Sequence, residues 1–332
     1  MKLALIGATG LVGTEIIKVL EEFQLTVSQF IPVASSKSVG RTISFNGSIH
    51  QVVDIETALE LKPQIVIYSA GSQISVDTAE KFTANGAWVI DNSSAWRMFD
   101  YVPLVVPEVN LHTINNNTRI IANPNCSTIQ LVAAIYPLHK KNRIRKLIVS
   151  TYQAVSGTGS AAVKQLMSER EGIQHEKVYP YQIDLNLLPH AGAFLDNKYT
   201  SEEIKLVKET QKIIGDSEID IYPTVVRVPV TVGHSESVYM EFENPMSVQK
   251  AHEILSVAKG IIVQDNPEMN LYPMPMLSEG KDEVFVGRIR GGFHCDNVLQ
   301  MWIVADNLRK GAATNAVQIA RYISDSFINP KS

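Results

Sequence analysis

The amino-acid sequence predicts an α/β protein in which an N-terminal parallel-sheet domain precedes an α+β domain with a mixed sheet. Two observations lead to this fold class. Up to about residue 126, short apolar runs alternate with amphipathic helical patterns, which is typical of βαβ units. After about residue 143, longer strand-like runs follow one another with fewer helices between them, which indicates a mixed or antiparallel sheet. The 332 residues are enough for two such domains.

The elements of the first domain follow from the spacing of its apolar residues. Residues 3–6 form an apolar run that ends at a glycine, as a buried parallel strand does, and residues 11–23 have helical spacing. A further helix is predicted at 76–82, and further strands at 30–34, 65–68, 88–90 and 119–122. A last helix at 311–328 is expected to pack back on this domain, which therefore comprises 1–126 and 311–328.

The second domain, residues 127–310, contains the longer strand candidates. They lie at 146–154, 222–232, 237–242, 284–290 and 299–304. Helical patterns are found between them at 159–170, 201–214 and 247–258. Strands in series with few crossover helices favour an α+β arrangement over a second parallel sheet.

The composition excludes several classes of protein. The chain is 45% apolar and 19% charged with a net charge of −4, so it has no basic field that would attract nucleic acid or anionic lipid. No apolar run approaches the length of about 18 residues that spans a bilayer. Two cysteines in so long a chain do not make a disulfide framework, which fits a reducing compartment. We therefore expect a cytoplasmic protein with no nucleic-acid or membrane partner.

A glycine-rich loop joins the first predicted strand to the first predicted helix. Gly7-Ala8-Thr9-Gly10-Leu11-Val12-Gly13 has the pattern Gly-x-x-Gly-x-x-Gly, a variant of the dinucleotide fingerprint. Its glycines permit a tight turn and a close approach to pyrophosphate, and the helix N-terminus supplies N–H donors. Glycine turns also join strands to helices for purely structural reasons. The strand–turn–helix context favours a nucleotide site.

The loop after the second strand bears on which dinucleotide is bound. An acidic residue in that position binds the ribose 2′-hydroxyl of NAD, whereas this loop reads Ala34-Ser35-Ser36-Lys37-Ser38. Hydroxyls and a cation suit a 2′-phosphate, although an ordinary polar loop would have the same composition. The loop therefore favours NADP.

Cys126 is the better of the two cysteines as a candidate nucleophile. It lies in Asn123-Pro124-Asn125-Cys126-Ser127-Thr128, directly before the apolar helical stretch 129–138. A helix N-terminus lowers the pKa of a thiol and favours the thiolate. Free cysteine is often a buried small apolar residue instead, but polar residues flank this one on both sides. Cys295, next to His294, has too few neighbouring ligands for a metal site and no evident role.

An arginine and a histidine bracket one strand-like run in the second domain. Arg227 begins the run and His234 follows it after a glycine. Of the eight histidines, His234 is the best acid–base candidate, and a planar guanidinium such as that of Arg227 suits bidentate binding of a carboxylate.

Taken together, these segments resemble the aspartate-semialdehyde dehydrogenase family over residues 1 to about 325. The resemblance is carried in order by Gly7–Gly10, Asn92-Ser93-Ser94-Ala95-Trp96-Arg97-Met98, Asn123–Thr128, Tyr152-Gln153-Ala154-Val155-Ser156-Gly157 and Arg227-Val228-Pro229-Val230 with Gly233-His234. It implies a Rossmann domain and an α+β catalytic and dimerisation domain. It also implies NADPH-dependent reductive dephosphorylation of L-4-aspartyl phosphate to L-aspartate 4-semialdehyde, on the route to lysine, diaminopimelate, threonine and methionine.

The resemblance also implies roles for individual residues. Cys126 would form an acyl-thioester, His234 would be the acid/base, and Gln153 would orient the reacting groups. The substrate would be bound by Arg227 at its carboxylate, by Glu202 at its amino group, and by Asn125 and Gln153. Phosphate would be held by Arg97 and Lys205. NADP would be bound by Thr9, Gly10, Leu11, Val12, Ser35, Ser36, Lys37, Ser156, Gly157 and Gln318. No metal is needed because an acyl phosphate is already activated. The resemblance also implies a homodimer or homotetramer.

Other interpretations remain open on the residues alone. Glu202 and Lys205, three apart on a predicted helix, would ordinarily be a solvated ion pair. The nearest rival activity is reduction of another acyl phosphate, such as N-acetyl-glutamyl phosphate or a glyceraldehyde-phosphate-like substrate. A rival from a different class is a dinucleotide-binding regulatory protein without chemistry.

Overall fold

Both predicted kinds of sheet are present in the computed structural model of the chain, which describes residues 1–174 and 176–330. The strands are β1 (Lys2–Ile6), β2 (Gln29–Val33), β3 (Thr42–Phe45), β4 (Ser48–Gln51), β5 (Ile65–Tyr68), β6 (Trp88–Asp91), β7 (Ile120–Ala122), β8 (Ile144–Gln153), β9 (Asp220–Arg227), β10 (His234–Phe242), β11 (Ile261–Val263), β12 (Val284–Gly291) and β13 (Val298–Ala305). The helices are α1 (Leu11–Glu22), α2 (Ile55–Glu60), α3 (Ser72–Ala84), α4 (Pro107–Asn110), α5 (Cys126–His139), α6 (Ser160–Arg170), α7 (Ser201–Ile214), α8 (Val248–Ser256), α9 (Pro275–Ser278) and α10 (Thr314–Ile323).

The chain divides into two units. The first comprises Met1–Pro124 and the chain from Ala312 onward, and the second comprises Asn125–Gly311. Among the described residues, no helix has the length and apolar character that a bilayer span requires.

The first unit is built on a parallel sheet of order β2-β1-β5-β6-β7. Its strands are nearly continuous apolar runs because helices cover both faces of such a sheet. The chain runs from β1 to β2 on one side and later returns to β5 on the other side of β1. The carboxyl ends of β1 and β5 therefore form a topological switch point, where open α/β sheets bind their ligands.

The last helix belongs to the first unit, where α10 packs against α1 and β6. The predicted helical segment is less regular than expected. Turns of π-helix, Arg309–Ala313 and Ser324–Ile328, flank α10 on either side. The apolar side of α10 joins the same core as β1 and α1, with Ala316, Val317 and Ala320 fully buried.

The hairpin β3–β4 was not predicted from the sequence. Asn46 and Gly47 form its turn, with φ angles of 48° and 72°. Two positive φ values suit a type I′ hairpin turn, and Asn-Gly is the strongest short-range signal for it. Phe45 anchors the hairpin through a ring contact with Phe30 of β2, at 4.5 Å between centroids.

The second unit contains the mixed sheet, of order β11-β12-β13-β10-β8-β9. Two pairs, β8 with β9 and β11 with β12, are parallel, and the others are antiparallel. Helices α5, α7 and α8 pack on these strands. The opposite face carries half-exposed apolar side chains, including the cross-strand pair Ile148 and Tyr222, which are 45% and 46% exposed.

One predicted strand, 222–232, was too long. The strand β9 ends at Arg227, after which the Val228 amide still donates to the Gln153 carbonyl but the chain turns. Pro229 has no amide hydrogen to continue the ladder, and the Val230 amide bonds back to the Val228 carbonyl instead. This early end leaves Arg227 as the last residue of its strand.

Candidate active site

The glycine loop of the first unit has the close backbone packing that a nucleotide-binding turn requires. Gly7 has a φ of 83°, and a side chain there would place its Cβ 2.3 Å from the Ser69 carbonyl oxygen. At Gly13 a Cβ would lie 2.1 Å from the Gly7 carbonyl oxygen. Gly10 is the N-cap of α1 without any side-chain cap, so the helix N-terminus presents backbone N–H groups rather than a capping oxygen.

The remaining predicted cofactor residues of the first unit are accessible. Thr9 and Gly10 are exposed in the loop, and Ser35, Ser36 and Lys37 are exposed in the turn that follows β2. Gln318 is half-buried on α10, where its amide donates to the Glu108 carboxylate at 3.5 Å.

Arg97 is buried in the first unit beyond the end of β6. Its Nε donates to the Asn123 carbonyl oxygen at 2.9 Å, and Nη2 donates to the Asn92 carbonyl oxygen at 2.8 Å. Asp91, at the end of β6, organises the same loop by accepting hydrogen bonds from Ser75 and Ser93. Burial raises the pKa of the Asp91 carboxyl, although the serine hydrogen bonds offset part of that rise.

Cys126 is the first residue of α5, as the sequence predicted. Asn125 is the N-cap, and its side-chain oxygen accepts a hydrogen bond from the Ser127 amide at 3.0 Å. The thiol is half-buried, and a helix N-terminus stabilises the thiolate form. Gly311 lies against this residue, since a Cβ at 311 would be 2.8 Å from the Cys126 Cβ.

Helix α7 holds Asn125 from one side. The Asn125 amide group donates to Glu202 at 2.7 Å, and its backbone N–H donates to Glu209 at 2.7 Å. Lys205 also binds Glu202, at 3.1 Å. Glu202 and Lys205 therefore do not form the plain surface pair that their spacing alone suggested.

The charge state of Glu202 is set by these neighbours. Burial by itself raises the pKa of the Glu202 carboxyl. The Lys205 and Arg227 cations, together with the Asn125 hydrogen bond, outweigh burial and hold that pKa below its ordinary value. Glu202 is thus an anion ready to bind a cationic group.

Gln153, Arg227 and His234 meet at the ends of neighbouring strands. Gln153 and Arg227 are paired as the last residues of β8 and β9. The residue after β8, Ala154, joins the group through its backbone. Its carbonyl oxygen accepts from Arg227 Nη1 at 3.0 Å, and its N–H donates to His234 Nδ1 at 3.0 Å.

This strand-end cluster is tied to the first turn of α5. Gln153 Nε2 donates to the Ser127 hydroxyl at 2.7 Å, and Gln130 Nε2 donates to the His234 carbonyl oxygen at 3.3 Å. Within the described chain, buried polar atoms of the cluster have no hydrogen-bond partner, namely Gln153 Oε1, Arg227 Nε and His234 Nε2. Unpartnered buried polar atoms are uncommon, and three in one cluster indicate a place where a polar ligand binds.

His234 is a neutral donor in this arrangement. It is fully buried, and burial lowers the pKa of its imidazole well below the ordinary 6.5, with the Arg227 cation acting in the same direction. Because Nδ1 accepts from the Ala154 N–H, the single proton of the neutral ring lies on Nε2. To take up a thiol proton at Nε2, the ring would need the other tautomer and would give up the Ala154 bond.

Gly157 packs directly on this cluster. A Cβ at position 157 would lie 2.8 Å from Arg227 Nη1 and 3.1 Å from His234 Nε2. Ser156, its neighbour, exchanges hydrogen bonds with Asn307.

Of the residues predicted for the site, those of the second unit are brought together here, while the glycine loop, the Ser35–Lys37 turn, Arg97 and Gln318 lie in the first unit.

Some residues of the site were not found from the sequence. Glu209 stands seven residues after Glu202 and so shares its face of α7, but nothing in the sequence showed that α7 packs on the start of α5. Ser127 and Gly311 likewise become relevant only through their contacts with Gln153 and Cys126.

The chain matches two protein-family models in succession. One describes a semialdehyde dehydrogenase NAD binding domain and matches residues 2–117, and the other describes a semialdehyde dehydrogenase dimerisation domain and matches residues 135–310. The aspartate-semialdehyde dehydrogenase of Aquifex aeolicus (strain VF5) is 48% identical, over 97% of each chain.

Solved structures agree with this match. Aspartate semialdehyde dehydrogenase II from Vibrio cholerae, complexed with ASA, has a TM-score of 0.94 at 39% identity and covers 98% of both chains. The Candida albicans enzyme, solved with NADP, has a TM-score of 0.75 at 26% identity and covers 97% of this chain and 98% of its own. The paired family models and the near-complete coverage at 48% identity place the chain in the aspartate-semialdehyde dehydrogenase family.

Proposed function

We propose that the protein catalyses the NADPH-dependent reductive dephosphorylation of L-4-aspartyl phosphate to L-aspartate 4-semialdehyde. The observation that carries this proposal is the cluster in the second unit. The helix turn that begins with Cys126 is hydrogen-bonded to Gln153, and Gln153 and Arg227 end neighbouring strands beside His234. Relatives that share nearly the whole chain bear the same enzyme name, and the Vibrio cholerae relative binds ASA.

The substrate has three charged groups, and this chain offers a partner for each. A buried guanidinium such as that of Arg227 suits the α-carboxylate, because its fork matches two carboxylate oxygens. The Glu202 anion suits the α-ammonium, next to the Asn125 amide. For the phosphate we propose the cationic side chains of Arg97 and Lys205.

The first chemical step belongs to Cys126. Its thiolate attacks the acyl carbon, a C–S bond forms, the C–O bond to phosphate breaks, and inorganic phosphate leaves. Gln153, whose Nε2 is held by Ser127 and whose Oε1 has no partner among the described residues, orients the acyl group. The Nε2–H of His234 is available to stabilise the thiolate and the oxyanion that develops on the carbonyl oxygen.

The second step is reduction of the thioester. A nicotinamide dinucleotide, when bound, supplies the hydride. The substrate oxygen then carries negative charge, which the Nε2–H of His234 stabilises without having to become an imidazolium ion. Cleavage of the C–S bond releases the semialdehyde and returns the Cys126 thiolate.

The first unit fits a dinucleotide and, in our proposal, NADP in particular. Gly7 and Gly13 allow the tight backbone packing of the turn, and Gly10 leaves the N-terminus of α1 without a side-chain cap, which suits binding of pyrophosphate there. Ser35, Ser36 and Lys37 are exposed beyond β2 and carry no acid that would repel a 2′-phosphate. The fungal relative solved with NADP supports the same choice.

We further propose a homodimer formed through the second unit. Residues 135–310 match a dimerisation domain, and the face of its sheet opposite α5, α7 and α8 carries Ile148 and Tyr222, each nearly half exposed. A second copy would remove these side chains from water. Neither Cys126 nor Cys295 is in a disulfide, which suits the cytoplasmic location that we propose for the enzyme.

A spectrophotometric assay with L-aspartate 4-semialdehyde, inorganic phosphate and NADP⁺ tests the proposal. We expect formation of NADPH that depends on phosphate, and absence of that dependence contradicts the proposed reaction. Cys126→Ala is expected to abolish turnover while NADPH binding is retained. The matched control is Cys295→Ala, since Cys295 is exposed and should be dispensable. Substituting NAD⁺ in the same assay measures how far the 2′-phosphate is needed.

A further inference from the structure

The cap at the start of α5 is incomplete within its own helix. In a capping box, the N-cap side chain bonds a backbone N–H of the first turn, and a Glu or Gln at the third helical position bonds the N-cap backbone N–H. Asn125 supplies the first half through its bond with the Ser127 amide. The third helical position is Thr128, which lacks the carboxylate or amide for the second half.

A residue of α7 supplies the missing half. Glu209 Oε2 accepts the Asn125 backbone N–H at 2.7 Å. Glu209 is 1% exposed and lies two turns after Glu202, on the same face of α7. Both glutamates therefore bind the one residue that precedes Cys126, Glu202 at the side chain and Glu209 at the backbone.

We infer that Glu209 is a positioning residue for the nucleophile. It completes the N-terminal cap of α5 from α7 and so ties Cys126 to the helix that carries Glu202 and Lys205. A hydrogen bond from a buried N–H to a carboxylate is short and about twice as strong as a neutral one, which makes it suited to fixing backbone position. This inference rests on the proposed function only in taking Cys126 as the nucleophile.

Asn125 therefore links two residues that are proposed to act on different ends of the substrate, Glu202 and Cys126. Glu202, proposed to bind the ammonium, and Cys126, proposed to attack the acyl carbon, are held at a set separation by Asn125. A nucleophile displaced by about 1 Å loses on the order of a hundredfold in rate, so this separation bears directly on kcat.

The test compares Glu209→Gln with Glu209→Ala in the full-length enzyme. Gln keeps an oxygen that accepts the Asn125 N–H, whereas Ala removes it. We expect Glu209→Ala to lower kcat by about tenfold to a hundredfold. The semialdehyde KM should stay within about threefold because Arg227 on β9 is untouched. Glu209→Gln should restore kcat to within about threefold of wild type. The matched control is Lys208→Gln, an exposed neighbour on α7, which should behave as wild type.

A second measurement reports on the cap without relying on turnover. Hydrogen–deuterium exchange of a peptide that spans the first turn of α5 should be faster in Glu209→Ala than in wild type, and unchanged in Glu209→Gln and Lys208→Gln. Wild-type exchange and kcat in a folded Glu209→Ala protein would overturn the inference. Equal losses in the Gln and Ala variants would also overturn it, because the carboxylate would then act by charge and not as an acceptor.

The two proposals fail in different ways. Iodoacetamide labelling in a Cys295→Ser background tests Cys126 by itself. If labelling of Cys126 leaves activity intact, the proposed mechanism is wrong. If labelling abolishes activity but Glu209→Ala does not change kcat or exchange, only the role of Glu209 is wrong.

Discussion

Replacing Glu236 by glutamine is expected to stabilise the protein, and to do so more strongly as the pH rises. Glu236 lies on β10, two residues after His234, and is fully buried. Thr151 and Ile303 flank it on the neighbouring strands. In the described part of the chain its carboxyl oxygens make no hydrogen bond of good geometry, and the Gln130 side chain gives the carboxyl group only weak support. An ionised carboxylate in such a position would be very costly, so the native protein keeps this group protonated.

The sign and size of the effect follow from the proton balance. Burial raises the pKa of the Glu236 carboxyl well above its ordinary value of 4.5, and Gln130 offsets only part of that rise. Above pH 4.5 the unfolded chain releases this proton while the native chain retains it. The contribution of Glu236 to the free energy of unfolding therefore falls with rising pH, by at most about 1.4 kcal/mol per pH unit, until the native carboxyl group ionises. Glutamine has no proton to retain, so its advantage should grow from pH 5 to pH 7 for as long as the native carboxyl group stays protonated.

Urea denaturation at pH 5, 6 and 7, followed by tryptophan fluorescence at constant protein concentration, measures this difference. Other groups, including His234, titrate in both proteins and cancel from it. The control is Glu241→Gln on the same strand, where the carboxylate is 36% exposed and lies 3.8 Å from Lys146. That variant should change stability by less than about 1 kcal/mol at every pH. A difference between Glu236→Gln and wild type that stays constant or shrinks as the pH rises would refute the reasoning.

The remaining predictions concern the site itself. Gly311→Ala should lower kcat by about tenfold or more, because the new Cβ would lie 2.8 Å from the Cys126 Cβ and must displace it; steady-state kinetics at wild-type values would contradict this. Gly13→Ala should weaken NADPH binding by about tenfold or more in a fluorescence titration, since its Cβ would meet the Gly7 carbonyl oxygen at 2.1 Å; an unchanged Kd would exclude the glycine loop as the binding turn. Arg227→Lys should raise the semialdehyde KM by about tenfold or more through loss of the bidentate fork, and an unchanged KM would remove this residue from the substrate site.

Local pattern was enough to predict the elements whose signals are local. The turn from β1 to α1 follows from the glycine spacing, and the start of α5 near Cys126 follows from the apolar helical stretch 129–138. The Asn46-Gly47 turn also carries a local signal, but the strands on either side, β3 and β4, are too short and polar to be predicted from their own pattern.

Features that depend on tertiary contact could not be predicted in the same way. The tautomer of His234 follows from the Ala154 N–H, 80 residues away in the chain, and no pattern around His234 indicates it. Glu209 looks like any other charged residue of an amphipathic helix until α7 is placed against the start of α5. The premature end of β9 depended on one proline, which the apolar run on both sides concealed.

The contact between Gly311 and Cys126 has a consequence for building chimeric enzymes. The chain passes between the units twice, at Pro124–Asn125 and at Gly311–Ala312. Cys126 is the second residue after one of these junctions, and Gly311, which touches it, is the last residue before the other. Exchange of the whole first unit with that of a relative therefore requires splicing at two points that both border the nucleophile. Chimeras that take all of Asn125–Gly311 from one parent should retain turnover. If a splice point is moved even a few residues into that segment, the residues packed around the Cys126 thiol would come from two different parents.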